Sequence, residues 1–97
     1  TLLLLNAGTM SKEAMGHNLV VLKPGVDIGD FAYAASSEIE TDYIPKEKAT
    51  DILAHTKLLG GGESDQIKFT FDKPGTYEFI CSFPGHTGTM QGKITVI

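Results

Sequence analysis

Cys81, His86 and Met90 lie within ten residues of one another, in Cys81-Ser82-Phe83-Pro84-Gly85-His86-Thr87-Gly88-Thr89-Met90. Cys81 is the only cysteine of the chain. A thiolate, an imidazole and a thioether together form a soft donor set. Two histidines and a cysteine in a plane, with a weak axial methionine, make a mononuclear electron-transfer copper site. The loop supplies three of those four groups. The fourth must come from His17 or His55, the other two histidines.

Competing chemistries fit less well. Zinc prefers four strong ligands, usually with several cysteines, and methionine binds it poorly. A Cys–His nucleophilic pair would need orienting and oxyanion groups that the sequence does not offer nearby. A lone cysteine cannot form an internal disulfide, so its count alone says nothing of the redox compartment.

His17 opens a β-branched segment and follows Gly16, which lets the backbone approach a neighbour closely. Asn18 is placed to support the Cys81 loop by hydrogen bonding. His55 sits beside Thr56 and Lys57 and reads as a surface residue.

The elements that must hold these groups are short strands. Ninety-seven residues with 41% hydrophobic content suit one small domain over residues 1–97. Thr1–Asn6 reads as a buried strand, Met10–Met15 as a loop or helical turn, and His17–Lys23 as a second strand stopped by Pro24-Gly25. Val26–Lys48 breaks the rhythm. It carries a short helix over Phe31–Ser36 and is expected to pack as a flap. Asp51–Leu59 contains another strand, ended by Gly60-Gly61-Gly62. Gln66–Phe71 alternates, with Ile67, Phe69 and Phe71 on one face. Thr76–Cys81 alternates again, and Gly92–Ile97 is the last strand. Short strands with Gly/Pro turns at this spacing predict an all-β sandwich or barrel.

Eight lysines face twelve acids, there is no arginine, and the net charge is −4. That balance argues against nucleic-acid binding. Thr1–Leu5 is too short to span a membrane and lacks the marks of a signal peptide.

Three motifs, in order, resemble the azurin family of blue copper proteins, most of all the azurin-like auracyanins of photosynthetic bacteria. They are Met15-Gly16-His17-Asn18, Ala54-His55-Thr56-Lys57-Leu58-Leu59-Gly60, and Cys81 to His86 continuing through Met90-Gln91-Gly92. The likeness runs from about Gly8 to Ile97 and is weakest in the flap.

The resemblance implies a Greek-key cupredoxin β-sandwich with a partly helical flap. It implies one type 1 copper ion held by His17, Cys81 and His86, with Met90 as a long axial ligand and the Gly16 carbonyl as a weak contact. Asn18 and the Phe83 N–H would hydrogen-bond the Cys81 sulfur. Electrons would pass at the edge of His86, inside an apolar patch of Met10, Met15, Phe83, Pro84 and Gly88.

The function so implied is single-electron shuttling between Cu(II) and Cu(I), with redox proteins as transient partners and no enzymatic activity. The expected setting is periplasmic or otherwise outside the cytoplasm, possible membrane anchoring of a parent chain included. The rival reading is an electron-entry portion of a larger copper enzyme or chain. A binding module without copper is a further rival.

Three departures from the family carry their own expectations. Its strands ahead of the position of Thr1, usually joined by a disulfide, are missing here. The domain is therefore expected to be N-terminally shortened, or else to have the gap filled by a second copy or another chain, and its open strand edges are the expected place for copies to associate. Leu19 stands where azurins commonly bury a tryptophan. Asn6 stands where many carry a pH-sensitive histidine.

Overall fold

A computed structural model describes residues 2–97, apart from the side chain of Glu13. Two sheets make up the sandwich. β1 (Leu2–Leu5) pairs antiparallel with β4 (Ser64–Ile67) as a ribbon. β2 (Val20–Leu22), β3 (Ile52–His55), β5 (Gly75–Ile80) and β6 (Gln91–Val96) form a four-stranded sheet in the order β3-β2-β5-β6. α1 (Lys12–Met15) lies between β1 and β2. The all-β sandwich and its flap match the expected class. The flap holds α2 (Ile28–Ala35) and two 3-10 turns, Ile39–Thr41 and Lys46–Asp51.

The fully buried cluster lies between the four-stranded sheet and the flap. Val20 and Ile80 are paired across β2 and β5, so both point to one face. There they join Leu22 and Phe31, with Val26, Ile28, Ile44 and Ile52 around them. Each such side chain contributes roughly 1.5–3 kcal/mol by leaving water. α2 can deliver Phe31 because Asp27 caps its start, accepting from the Asp30 N–H at 3.0 Å. The helix begins three residues earlier than its alanine-rich stretch predicts, since the cap sits ahead of that stretch.

The opposite face of the sheet carries Val21 and Phe79, also paired. The Phe79 ring lies over Gly92 of β6, where a Cβ would come within 2.5 Å of the ring. Farther along, Phe69, Phe71 and Tyr77 form a ladder of rings 5.2 and 4.5 Å apart.

Two strand expectations need correction. The strand predicted over Gln66–Phe71 is, among the described residues, paired with β1 only as far as Ile67, which lies opposite Leu2. The alternation of half-buried and exposed residues nevertheless continues to Phe71. β1 was expected to be buried, yet Leu3 and Leu5 are 66% and 61% exposed. Only alternate residues of this ribbon face inward, and Leu4 lines a cavity of about 290 Å3 with Leu19, Phe79, Cys81 and Met90. Thr1, read as the head of this strand, lies outside the described residues.

Candidate metal centre

Cys81 directly follows β5, and its N–H donates to the Met90 carbonyl at 2.9 Å. The ten-residue loop is thereby closed at its base. Within it, the N–H groups of Thr89 and Met90 both donate to the His86 carbonyl, at 3.1 and 2.8 Å. Gly85 takes φ +82°, a left-handed turn that suits glycine. The Thr87 hydroxyl donates to the Cys81 carbonyl at 2.8 Å. These bonds fold His86 back over Cys81, and His86 Nδ1 lies 3.7 Å from the Cys81 sulfur.

His17 arrives from the other side of the site. Its N–H donates to the Leu59 carbonyl at 3.0 Å and its carbonyl accepts from the Leu59 N–H at 2.8 Å. The same Leu59 carbonyl accepts from the Asn6 side-chain amide at 3.0 Å. Asn6, in place of a titratable histidine, is thus buried as a clamp on the bridge between Leu59 and His17. Gly16 is buried as well. A Cβ there would meet the Lys12 carbonyl at 2.6 Å and Leu58 Cγ at 2.9 Å, so the approach to His17 requires glycine.

The nitrogen and sulfur donors of His17, Cys81 and His86 all lie within 4.8 Å of one another. The two imidazole rings stack at 4.9 Å. His17 Nδ1 is buried and has no hydrogen-bond partner among the described residues. Buried polar atoms are nearly always satisfied, so an orphan facing a thiol and a second imidazole fits a missing metal bond. Burial, and then the neighbouring His17, hold the His86 imidazole below its ordinary pKa. That favours the neutral ring, the form that binds metal.

His55 stands apart. It is exposed on the end of β3, with its Nδ1 donating to the Thr56 carbonyl at 2.8 Å. The structure thus brings His17, and not His55, beside Cys81 and His86. Met90 ends the loop and is 37% exposed.

The role expected of Asn18 changes. Its amide is spent on Ser82 and not on the Cys81 sulfur: Oδ1 accepts from the Ser82 N–H and Nδ2 donates to the Ser82 hydroxyl, each at 2.8 Å. Among the described residues the sulfur's hydrogen-bond contact is His86 Nδ1, and no bond from the Phe83 N–H is formed. The expected patch is mixed. Met10, Met15, Pro84 and Gly88 are exposed and His86 is half-exposed. Phe83 is only 8% exposed and acts as a wall, packed with Tyr43, Leu58 and Cys81.

Tyr43 is the residue that sequence reading passed over. It lies in the flap, whose irregular pattern carries no periodic signal to assign it a face.

The comparisons with known proteins agree with this geometry. The model of the copper-binding plastocyanin/azurin family matches residues 5–97. Azurin of Pseudomonas chlororaphis is 36% identical over 99 residues, covering 99% of this chain and 77% of that protein. Outer membrane protein H.8 of Neisseria gonorrhoeae is 40% identical over 99 residues, and the chain spans only 53% of its length. The structure of dithionite-reduced auracyanin from Roseiflexus castenholzii superposes with a TM-score of 0.80 at 37% identity, covering 98% of this chain and 74% of that one. With the fold, the donor cluster and the family match in agreement, this chain belongs to the plastocyanin/azurin family of copper-binding proteins.

Proposed function

We propose that the chain is a one-electron carrier and not an enzyme, in which His17, Cys81 and His86 would hold one copper ion. Met90 would add a weak thioether donor and the Gly16 carbonyl a further weak contact. The observation that carries this reading is the grouping of one donor each from His17, Cys81 and His86 within 4.8 Å, with His17 Nδ1 buried and unpartnered among the described residues. When bound, copper supplies the Cu(II)/Cu(I) couple.

The protein's own part is rigidity. Cys81 is pinned at its N–H and carbonyl, His17 at both backbone groups, and the two segments are tied through Asn18 and Ser82. Ligands held this way keep one compromise geometry, which lowers the reorganisation that electron transfer requires.

The half-exposed edge of His86 is the port. Around it, Met10, Met15, Pro84 and Gly88 give a redox protein a small apolar landing area, suited to brief encounters. A setting outside the cytoplasm, with membrane association of a longer parent chain, draws support from the likeness to outer membrane protein H.8. No helix among the described residues is long and apolar enough to cross a membrane. The edge of β6 and the exposed Leu3 and Leu5 are the surfaces through which copies would associate.

Copper titration tests the reading. The purified protein should bind one equivalent of Cu(II) and develop intense visible sulfur-to-copper absorption, and Cys81→Ser should lose it. A full-strength band in Cys81→Ser would overturn the thiolate assignment.

A further inference from the structure

The flap contributes one side chain to the wall of the metal centre. Tyr43 is buried in a cluster with Leu58, Cys81 and Phe83, separate from the main core. Its ring meets the Phe83 ring edge-on at 5.1 Å. Phe83 lies against the His86 ring at 4.7 Å, and His86 stacks on His17 at 4.9 Å. Four rings therefore run from the flap to the far histidine.

The backbone beneath Tyr43 is unusual. Asp42 and Tyr43 are consecutive non-glycine residues with φ of +54° and +63°. Side chains other than glycine adopt this left-handed region at a cost, and it persists where the surroundings fix it. Two hydrogen bonds fix it here. The Tyr43 N–H donates to the Glu38 carbonyl at 2.8 Å. The Tyr43 carbonyl accepts from the Ser82 hydroxyl at 2.7 Å. Ser82 is the residue next to Cys81 and is itself gripped by Asn18. A ring that only filled space would not need a strained backbone anchored to the ligand loop.

We propose that Tyr43 is a positioning residue for the metal centre, setting the orientation of His86 through the Phe83 ring. This rests on the copper-site reading above. The Tyr43 ring fixes the tilt of Phe83, and Phe83 limits how far the half-exposed His86 imidazole can swing about its side-chain bonds. The flap then serves the centre as a buttress.

The test uses Tyr43→Phe, which keeps the ring, and Tyr43→Leu, which removes it. In the metal-free protein, Tyr43→Leu should move the His86 ring-proton resonances by more than their linewidth, because Phe83 loses its stop and its ring current shifts. The Val20 and Leu22 methyl resonances of the main core should stay in place. In the copper-loaded protein the same variant should shift the sulfur-to-copper absorption and the copper hyperfine splitting, and Tyr43→Phe should restore both.

Loss of stability in Tyr43→Leu with unchanged His86 resonances and unchanged absorption would reduce Tyr43 to filler and overturn the proposal. Should Tyr43→Leu not fold, Tyr43→Met fills more of the same space and carries the same two readings. A wild-type protein that takes up no copper would sink the copper reading alone, since the metal-free resonances still judge the positioning.

Discussion

Asn18 and Ser82, sixty-four residues apart in sequence, are joined by two hydrogen bonds of 2.8 Å each. One amide thereby ties the segment bearing His17 to the loop bearing Cys81 and His86. Farther along, the same two segments are joined by the Val20–Ile80 and Val21–Phe79 pairs of β2 and β5, so this amide extends that link to the residues beside His17 and Cys81.

Replacing Asn18 by alanine leaves the Ser82 N–H unpaired in a buried place. Chemical denaturation of the metal-free protein should show a loss of about 1–3 kcal/mol. The copper-loaded form should also show broadened or shifted sulfur-to-copper absorption, because the two segments no longer hold a single spacing. An unchanged spectrum would mean that packing alone sets that spacing.

The two histidines outside the loop should separate cleanly. His17→Ala removes a donor from the buried cluster and should abolish the copper absorption. His55→Ala removes an exposed ring whose Nδ1 reaches only the neighbouring Thr56 carbonyl, and should leave the absorption intact. Absorption titrations of both variants decide the matter in one experiment.

Gly16 and Gly88 should differ in the same way. An alanine Cβ at Gly16 would sit 2.6 Å from the Lys12 carbonyl, and backbone must move to admit it. Gly16→Ala should cost about 1–3 kcal/mol. At Gly88 nothing lies within 4 Å of the new carbon, so Gly88→Ala should stay within about 0.5 kcal/mol of the parent. Thermal unfolding of the metal-free proteins compares them directly.

Acid should destabilise the metal-free protein through His86. Burial and His17 lower its pKa below the ordinary 6.5 in the folded state. The unfolded chain then binds this proton first as pH falls, which favours unfolding. Stability from this group is complete above pH 6.5 and declines below it, levelling once folded His86 also protonates. His86→Gln should remove that part of the slope in denaturation curves taken across this range. Persistence of the full slope would assign it to other groups.

Much of the centre was legible because its chemistry is local. Cys81, His86 and Met90 share one loop, so spacing alone announces soft donors, and Gly16 beside His17 marks a close approach. The strands were legible where apolar residues alternate, as in Tyr77 to Cys81. The loop that Asn18 reaches was legible, but not that Ser82 is its partner there, because which atom of a loop meets an amide depends on the folded backbone. Tyr43 escaped for a related reason. Its importance comes from a backbone turn and from contacts with Phe83 forty residues away, neither of which leaves a periodic trace. The half-exposed face of β1 was likewise hidden, since four leucines in a row look the same whether one face is covered or both.

The main core, shared by the four-stranded sheet and α2 and not by the two sheets, has a consequence for the order in which the molecule comes apart. Amide protons of β2 and β5 should exchange most slowly and those of the β1–β4 ribbon sooner, because none of Val20, Leu22, Phe31 or Ile80 belongs to the ribbon. The metal loop hangs from the protected unit through Cys81 and rests against the looser one through Leu4 and Met90. Opening of the ribbon would then loosen one side of the centre while the Cys81 end stays held, and would give a copper ion a way in without global unfolding.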